Sequence, residues 1–132
     1  MATWDDVRRL ALALPETSER PSRENTHWWV RDRSFVWERP LRRTDVEALG
    51  ALGEAVPEGE ILGVRVADVG VRQAMIAEEP DVFFTIPHFE GYPAVLVRLD
   101  RIDLSELGEL IVEAWLLRAP KRLAKAYLDT AR

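Results

Sequence analysis

Between Thr26 and Arg39 the chain reads T-H-W-W-V-R-D-R-S-F-V-W-E-R, two short runs of bulky apolar residues on either side of a charged turn. Aromatic and β-branched residues in runs of this length, bounded by polar turn residues, make a β-hairpin. With Asp32-Arg33 as a two-residue turn, Arg31 faces Ser34, Val30 faces Phe35, Trp29 faces Val36, Trp28 faces Trp37 and His27 faces Glu38. One face then carries Trp28, Val30, Phe35 and Trp37. The other carries His27, Trp29, Arg31, Val36 and Glu38, a mixture suited to a partly solvated surface. A hairpin with so apolar a face must bury it, which commits the chain to an antiparallel sheet packed against something else.

The flanking segments supply that packing. Thr3 caps a helix with Asp5 and Asp6 in its first turn, and Trp4, Val7, Leu10, Ala11 and Leu14 recur at helical spacing up to Pro15. Pro15 to Asn25 is rich in Glu, Thr, Ser, Arg and Pro and reads as an exposed, mobile loop. After the hairpin, Thr44 and Glu47 form a capping-box pattern for a short helix that ends among Gly50, Gly53, Pro57 and Gly59. Leu62, Val64 and Val66 alternate as a third strand, and Asp68 caps a helix running through Val71, Met75 and Ile76 to Glu79-Pro80. Val82 to Ile86 and Ala94 to Leu99 read as two further strands, joined by the long aromatic segment 87–93. Asp103 or Ser105 opens a final helix with Leu107, Ile111, Ala114 and Trp115 on its buried side, and Pro120 interrupts it before Lys121 to Thr130. The fold class is therefore α+β, a mostly antiparallel sheet of about five strands packed by N- and C-terminal helices.

A chain of 132 residues with 47% hydrophobic content suffices for one domain, spanning residues 1–132. The lack of cysteine removes disulfides, thiolate metal sites and thiol nucleophiles at once. The start of the sequence carries no basic and apolar leader, and no apolar run reaches the roughly 20 residues of a membrane span, so the expectation is a soluble cytoplasmic protein without membrane contact.

Charge is unevenly spread. The net charge is −5, yet seven arginines lie between Arg20 and Arg43 against three carboxylates, and Arg118 to Arg132 is again strongly basic. Arg31, Arg33, Arg39, Arg42 and Arg43 cluster around the hairpin, and guanidinium groups suit bidentate contacts to phosphate or guanine edges. Lys121 and Arg122, with Arg118 and Lys125 at helical spacing, form a second basic patch. The structural alternative is that these arginines cover tryptophans and pair with Asp32 and Glu38, and that Arg118 answers a helix C-terminus.

Catalysis finds little support. His27 and His88 are the only histidines, and they fall in no H-x-x-x-H or H-E-x-x-H pattern. Ser18, Ser22, Ser34 and Ser105 lie in no nucleophile elbow, and the glycines are too dispersed for a phosphate loop. The acidic stripe Asp103, Glu106, Glu109 and Glu113 is a convex row on a helix rather than a convergent set of oxygens. The expectation is a non-enzymatic protein with no metal and no cofactor.

The segment order, Thr85-Ile86-Pro87-His88-Phe89-Glu90-Gly91-Tyr92-Pro93 leading into Ala94 to Leu99, and Ala114-Trp115 to Leu123 together resemble the MmcQ/YjbR-like family over most of the chain. The resemblance implies a frataxin-like (CyaY-like) fold and a proposed DNA-binding role through a double-wing surface. One wing is then the hairpin tip with Arg31 and Arg33, followed by Arg39, Arg42 and Arg43; the other is the 87–93 loop, where His88, Phe89 and Tyr92 can stack on bases. The family commonly has a Gly-Gly-Lys-type turn between its first two strands and a Pro-Phe-Gly-like element before them. Here the turn reads Asp32-Arg33-Ser34, and Arg20-Pro21-Ser22-Arg23-Glu24 replaces the earlier element.

The combined expectation is a small binding domain contacting double-stranded DNA through Arg31, Arg33, Arg39, Arg42, Arg43, His88, Lys121 and Arg122. The alternative is a protein-interaction or small-ligand module that uses the Trp29 face or the 87–93 loop and has no DNA role.

Overall fold

The tryptophan-rich hairpin forms, in a register other than the expected one and as the second hairpin of the sheet rather than the first. In the computed structural model, which describes residues 2–130, chain order is α1 (Trp4–Leu12), β1 (Thr17–Ser22), β2 (Asn25–Val30), β3 (Arg33–Glu38), α2 (Arg43–Ala51), β4 (Ile61–Arg65), α3 (Val69–Glu78), β5 (Phe83–Phe84), a 3-10 turn (Pro87–Phe89), β6 (Ala94–Arg98), α4 (Leu104–Arg118) and α5 (Lys121–Thr130). The strands make one six-stranded sheet in the order β1-β2-β3-β4-β6-β5, every neighbouring pair antiparallel.

Helices α1 and α4 cover one face. Val7, Ala11, Leu107, Ile111, Ala114 and Trp115 pack there with Trp28, Val30, Phe35, Val36, Leu62, Val64, Val95 and Val97. On the other face Trp37, Ile61, Ala94 and Leu96 pack under Leu49 of α2 and Ile86 and Phe89 around the 3-10 turn. Because both faces are covered in the middle of the sheet, β6 is buried from Ala94 through Val97 instead of alternating.

Local cap chemistry works as the sequence implies at three helices. Thr3 and Asp6 form a reciprocal capping box on α1, Asp68 accepts the Val71 N–H at 2.8 Å, and Asp103 accepts the Glu106 N–H at 3.4 Å. At α2 the expected Thr44–Glu47 box is replaced. Arg42 is the N-cap residue, and Asp45 accepts its N–H at 2.9 Å because Asp45 is drawn inward by Arg39.

The expected loop at 15–25 is instead an edge strand. β1 pairs with β2 from Thr17↔Val30 to Ser22↔Asn25, and Glu19 ties it down by accepting from Arg8 Nε at 2.8 Å and Trp28 Nε1 at 2.9 Å. Pro21 and the charged residues around it are compatible with an edge, where one side of the strand needs no partner and charge discourages further pairing. The turn to β2 is Arg23-Glu24, both at positive φ, 51° and 73°. That is the backbone of a type I′ turn without its usual Asn-Gly, and left-handed non-glycine residues cost roughly 1–2 kcal/mol each. Replacing Arg23-Glu24 by Asn-Gly is accordingly expected to raise the unfolding free energy by about 1–2 kcal/mol, read as a higher urea midpoint at unchanged slope.

In the β2–β3 hairpin the turn is Arg31-Asp32, with Arg31 at φ 52°, and Val30 pairs with Arg33 and Trp29 with Ser34. A bulge at Phe35 then sets Trp28 against Val36 and His27 against Trp37. The extra residue sends both Phe35 and Val36 into the helix-covered core and turns Trp37 to the opposite face, away from Trp28. His27 does not face Glu38; its ring stacks between Trp29 and Trp37, at 5.5 and 5.9 Å. Past β4, the expected strand over 82–86 shortens to Phe83–Phe84, paired with Val97 and Leu96. The 87–93 segment opens with the 3-10 turn Pro87–Phe89, in which Phe89 is buried while His88 and Tyr92 remain exposed.

Candidate nucleic-acid interface

The β2–β3 turn and the α4–α5 junction, far apart in the chain, meet at one end of the molecule. They border a cleft of about 500 Å³ lined by Arg31, Asp32, Arg33, Arg118 and Lys121, together with Val30, Leu117, Ala119 and Pro120. Arg31 and Arg33 of the hairpin patch thus share one surface with Arg118 and Lys121 of the second, while Arg39 and Arg42 line a different cleft. Pro120 matters to this, because it ends α4 and lets α5 start afresh with Lys121 beside Arg118.

Arg118 is the electrostatic centre of the cluster. Burial, followed by repulsion from Arg65 and Arg33, holds its pKa below the ordinary arginine value, with Tyr92 opposing. Its Nε is buried without a hydrogen-bond partner. Arg65 projects from the end of β4, donates Nη1 to the Tyr92 hydroxyl at 2.9 Å and lies 5.0 Å from the centre of that ring. Among the described residues no carboxylate forms an ion pair with Arg33, Arg65, Arg118, Lys121 or Arg122. Asp32 is the acidic residue at the cleft wall.

The other arginines of the hairpin region are differently placed. Arg31 is held by Glu16 through Nε at 2.7 Å and Nη2 at 3.3 Å, and Arg43 pairs with Glu47 at 3.3 Å. Arg20 lies 4.7 Å over the Trp29 ring, so one arginine does shelter a tryptophan. Arg39 must be withdrawn from the exposed set: it is only 4% accessible and pairs with Asp45 at 3.0 Å. It follows Glu38 off the sheet and turns inward over Phe89, 5.3 Å from the ring centre. Arg42 and His88 are exposed and line a second cleft with Arg23, His27 and Tyr92, while Arg122 is exposed on α5.

His27 is poorly suited to carry charge. Burial lowers its pKa below 6.5 against a weaker pull from Glu38, and its Nδ1 is 2.8 Å from Ser34 Oγ. Among the described residues no three His, Asp or Glu side chains converge as a metal site.

Opposite charge gathers between α3 and α4, where Glu78, Glu79, Glu106, Glu109 and Glu113 line a shared groove. A hydrogen bond with Glu79, burial and the neighbouring carboxylates push Glu106 up to about 7. Folded Glu106 thus keeps its proton to higher pH than the unfolded chain does, a contribution present below the ordinary glutamate range and lost as pH rises through about 7. Glu106→Gln is expected to gain thermal stability relative to the parent as pH is raised from about 5 to about 8, a trend that melting curves across this range measure directly.

A family model described as YjbR matches residues 12–117. The chain belongs to the YjbR family. Two mycobacterial relatives, the uncharacterized proteins Rv2570 of Mycobacterium tuberculosis and Mb2600 of Mycobacterium bovis, are each 55% identical to it over 128 residues, covering 97% of this chain and 97% of theirs. The fold is also that of the crystal structure of Deinococcus radiodurans protein DR2400, a DUF419 domain, with a TM-score of 0.63 at 21% identity over 89% of this chain and 78% of that one.

Two residues of this YjbR domain escaped the sequence reading. Arg65 reads in the sequence only as the polar residue between Val64 and Val66, although a cation at a strand end beside an aromatic loop is a detectable signal. Arg72 leaves no signal at all, since nothing in the pattern of α3 says that its single arginine points inward. It is 3% accessible, and its Nη1 donates to the carbonyls of Phe89, Tyr92 and Ala94 at 2.9, 2.8 and 3.1 Å. That clamp fixes the 87–93 segment, and with it Tyr92 beside Arg65.

Proposed function

We propose that this YjbR domain is a non-enzymatic nucleic-acid-binding module that holds duplex DNA by its phosphates across Arg33, Arg65, Arg118 and Lys121. The observation that carries the reading is the convergence of these cations without carboxylate partners among the described residues, so close that Arg33 and Arg65 disfavour the charge on Arg118. Bringing like charges together is unfavourable, and an anion resting on the cluster turns that repulsion into attraction. Guanidinium groups supply fork-shaped donors suited to phosphate, with Lys121 as a point charge. Exposed Arg122 and the partly neutralised Arg31 extend the surface, while the net charge of −5 limits binding to this end of the molecule.

Contacts of this kind fix position on the backbone and carry no base information of their own. With about four phosphates engaged, affinity should fall roughly a hundredfold between about 50 and 200 mM salt. Titration of a labelled duplex at these two salt concentrations tests the reading. Loss of affinity on that scale supports it, and absence of binding at the lower salt overturns it.

A small-ligand reading is favoured by one separate observation, the second cleft beside His88 and its buried Arg39.

A further inference from the structure

The second cleft lies between the β1–β2 turn, the start of α2 and the 3-10 turn, with a volume of about 450 Å³. That is within the range of roughly 300–1,000 Å³ typical of small-ligand pockets. Its most buried polar residue is Arg39, 4% accessible. Nη1 of Arg39 is satisfied by Asp45 at 3.0 Å and by the Pro40 carbonyl at 2.6 Å, but Nη2 is buried without any hydrogen-bond partner. Folded proteins rarely leave a buried donor unpaired, and among the described residues Arg39 is the one with such a donor that lines this cleft.

The rest of the cleft indicates what kind of acceptor. Arg23 and Arg42 stand exposed at its rim, against Glu38, whose Oε1 is already engaged by the Thr26 N–H at 2.8 Å. Asp45 is consumed by Arg39 and by the Arg42 N–H. The surplus is positive and favours an anion. Across from the arginines, His88 and Tyr92 present exposed rings, packed at 5.0 and 5.9 Å against the buried Phe89 between them. Flat exposed rings beside a cationic pocket suit a planar group attached to the anion.

We propose that this cleft binds a nucleoside phosphate, with the phosphate on Arg39 Nη2 and Arg42 and the base against His88 and Tyr92. Nη2 is closed to solvent, so contact with the phosphate requires rim side chains to shift. The ligand chemistry is the same whether the nucleotide is free or an unstacked nucleotide within a strand. The site does not rest on the duplex reading, since none of Arg33, Arg65, Arg118 and Lys121 lines this cleft; the two meet at Tyr92, whose hydroxyl accepts from Arg65.

Calorimetric titration of the full chain with adenosine monophosphate, adenosine and inorganic phosphate tests it. The monophosphate is expected to bind at least about tenfold more tightly than either fragment, as two coupled contacts require. Arg42→Ala should weaken it by about tenfold without altering affinity for duplex, the loss of a charge-assisted phosphate contact. His88→Ala should erase much of the preference for the nucleotide over phosphate. Monophosphate binding no tighter than inorganic phosphate, or unaffected by Arg42→Ala, overturns the proposal. If it holds, competition by a short single-stranded oligonucleotide assigns the cleft to nucleotides within a strand, and the lack of competition assigns it to free ones.

Discussion

Arg72→Met is expected to lower the unfolding free energy by about 2 kcal/mol, because a hydrogen bond from a charged donor contributes about 1.5–3 kcal/mol and a buried carbonyl left without a donor costs roughly 1–3 kcal/mol. A single Arg72 nitrogen serves the carbonyls of Phe89, Tyr92 and Ala94; the first two also accept the N–H groups of Tyr92 and Ala94, at 2.9 and 2.8 Å, so the loss falls chiefly on Ala94. Methionine restores the volume of the stem and none of the hydrogen bonds, so the loss isolates the polar clamp from packing. Lysine should rescue little, since its ammonium sits elsewhere on its stem and lacks the planar fork. Urea denaturation provides the measurement, with a lower midpoint at unchanged slope. The same variant should release Tyr92 from its place beside Arg65 and weaken binding at both clefts, linking a stability defect to function through the 87–93 backbone.

Gly63→Ala should cost at least about 2 kcal/mol, toward the upper part of the range for overpacked cores. A Cβ at this position would lie 2.8 Å from Cζ2 of Trp37 and nearer still to Cε2 and Nε1. The glycine is required here by space rather than by backbone conformation. Its neighbours Leu62 and Val64 are fully buried on the opposite face, so β4 cannot retreat from the ring. Trp37 is held in turn by its stack with His27. Trp37→Leu in the same molecule should recover much of the loss, and a double-mutant cycle should give a coupling of about 1 kcal/mol or more.

Much of the architecture was legible because it is written in local chemistry. Thr3, Asp68 and Asp103 cap their helices with side chains only three residues from the groups they satisfy, and Pro120 separates α4 from α5 wherever the rest of the chain goes. β1 was hidden for the opposite reason. It is a polar edge strand containing Pro21, its turn uses Arg23-Glu24 where Asn-Gly would announce it, and its anchors are Arg8 and Trp28 on other elements. The hairpin register depended on a bulge at Phe35, which allows two adjacent residues to enter one core. No alternation pattern encodes that choice, and it moved Trp37 to the other face.

The candidate site was legible in composition but not in arrangement. Counting arginines pointed to the hairpin, yet burial removed Arg39, and Glu16 and Glu47 engaged Arg31 and Arg43. What remained was Arg42, which lines the second cleft, and Arg33, which gains its importance from Arg118 and Lys121 at the far end of the chain and from Arg65 at the end of β4. Such convergence is a property of the folded sheet. The sequence contained both patches and could not say that they meet.

The central claim is that the converged cations engage phosphates, and the salt dependence of duplex binding tests it most directly. Plotted as log affinity against log salt, the slope should become shallower by about one unit for Arg33→Ala and again for Lys121→Ala. Both residues are exposed, so neither change should disturb folding. Arg43→Ala, which removes an arginine already paired with Glu47, should leave the slope nearly unchanged. Equal slopes for the parent, Arg33→Ala and Lys121→Ala proteins would contradict the account.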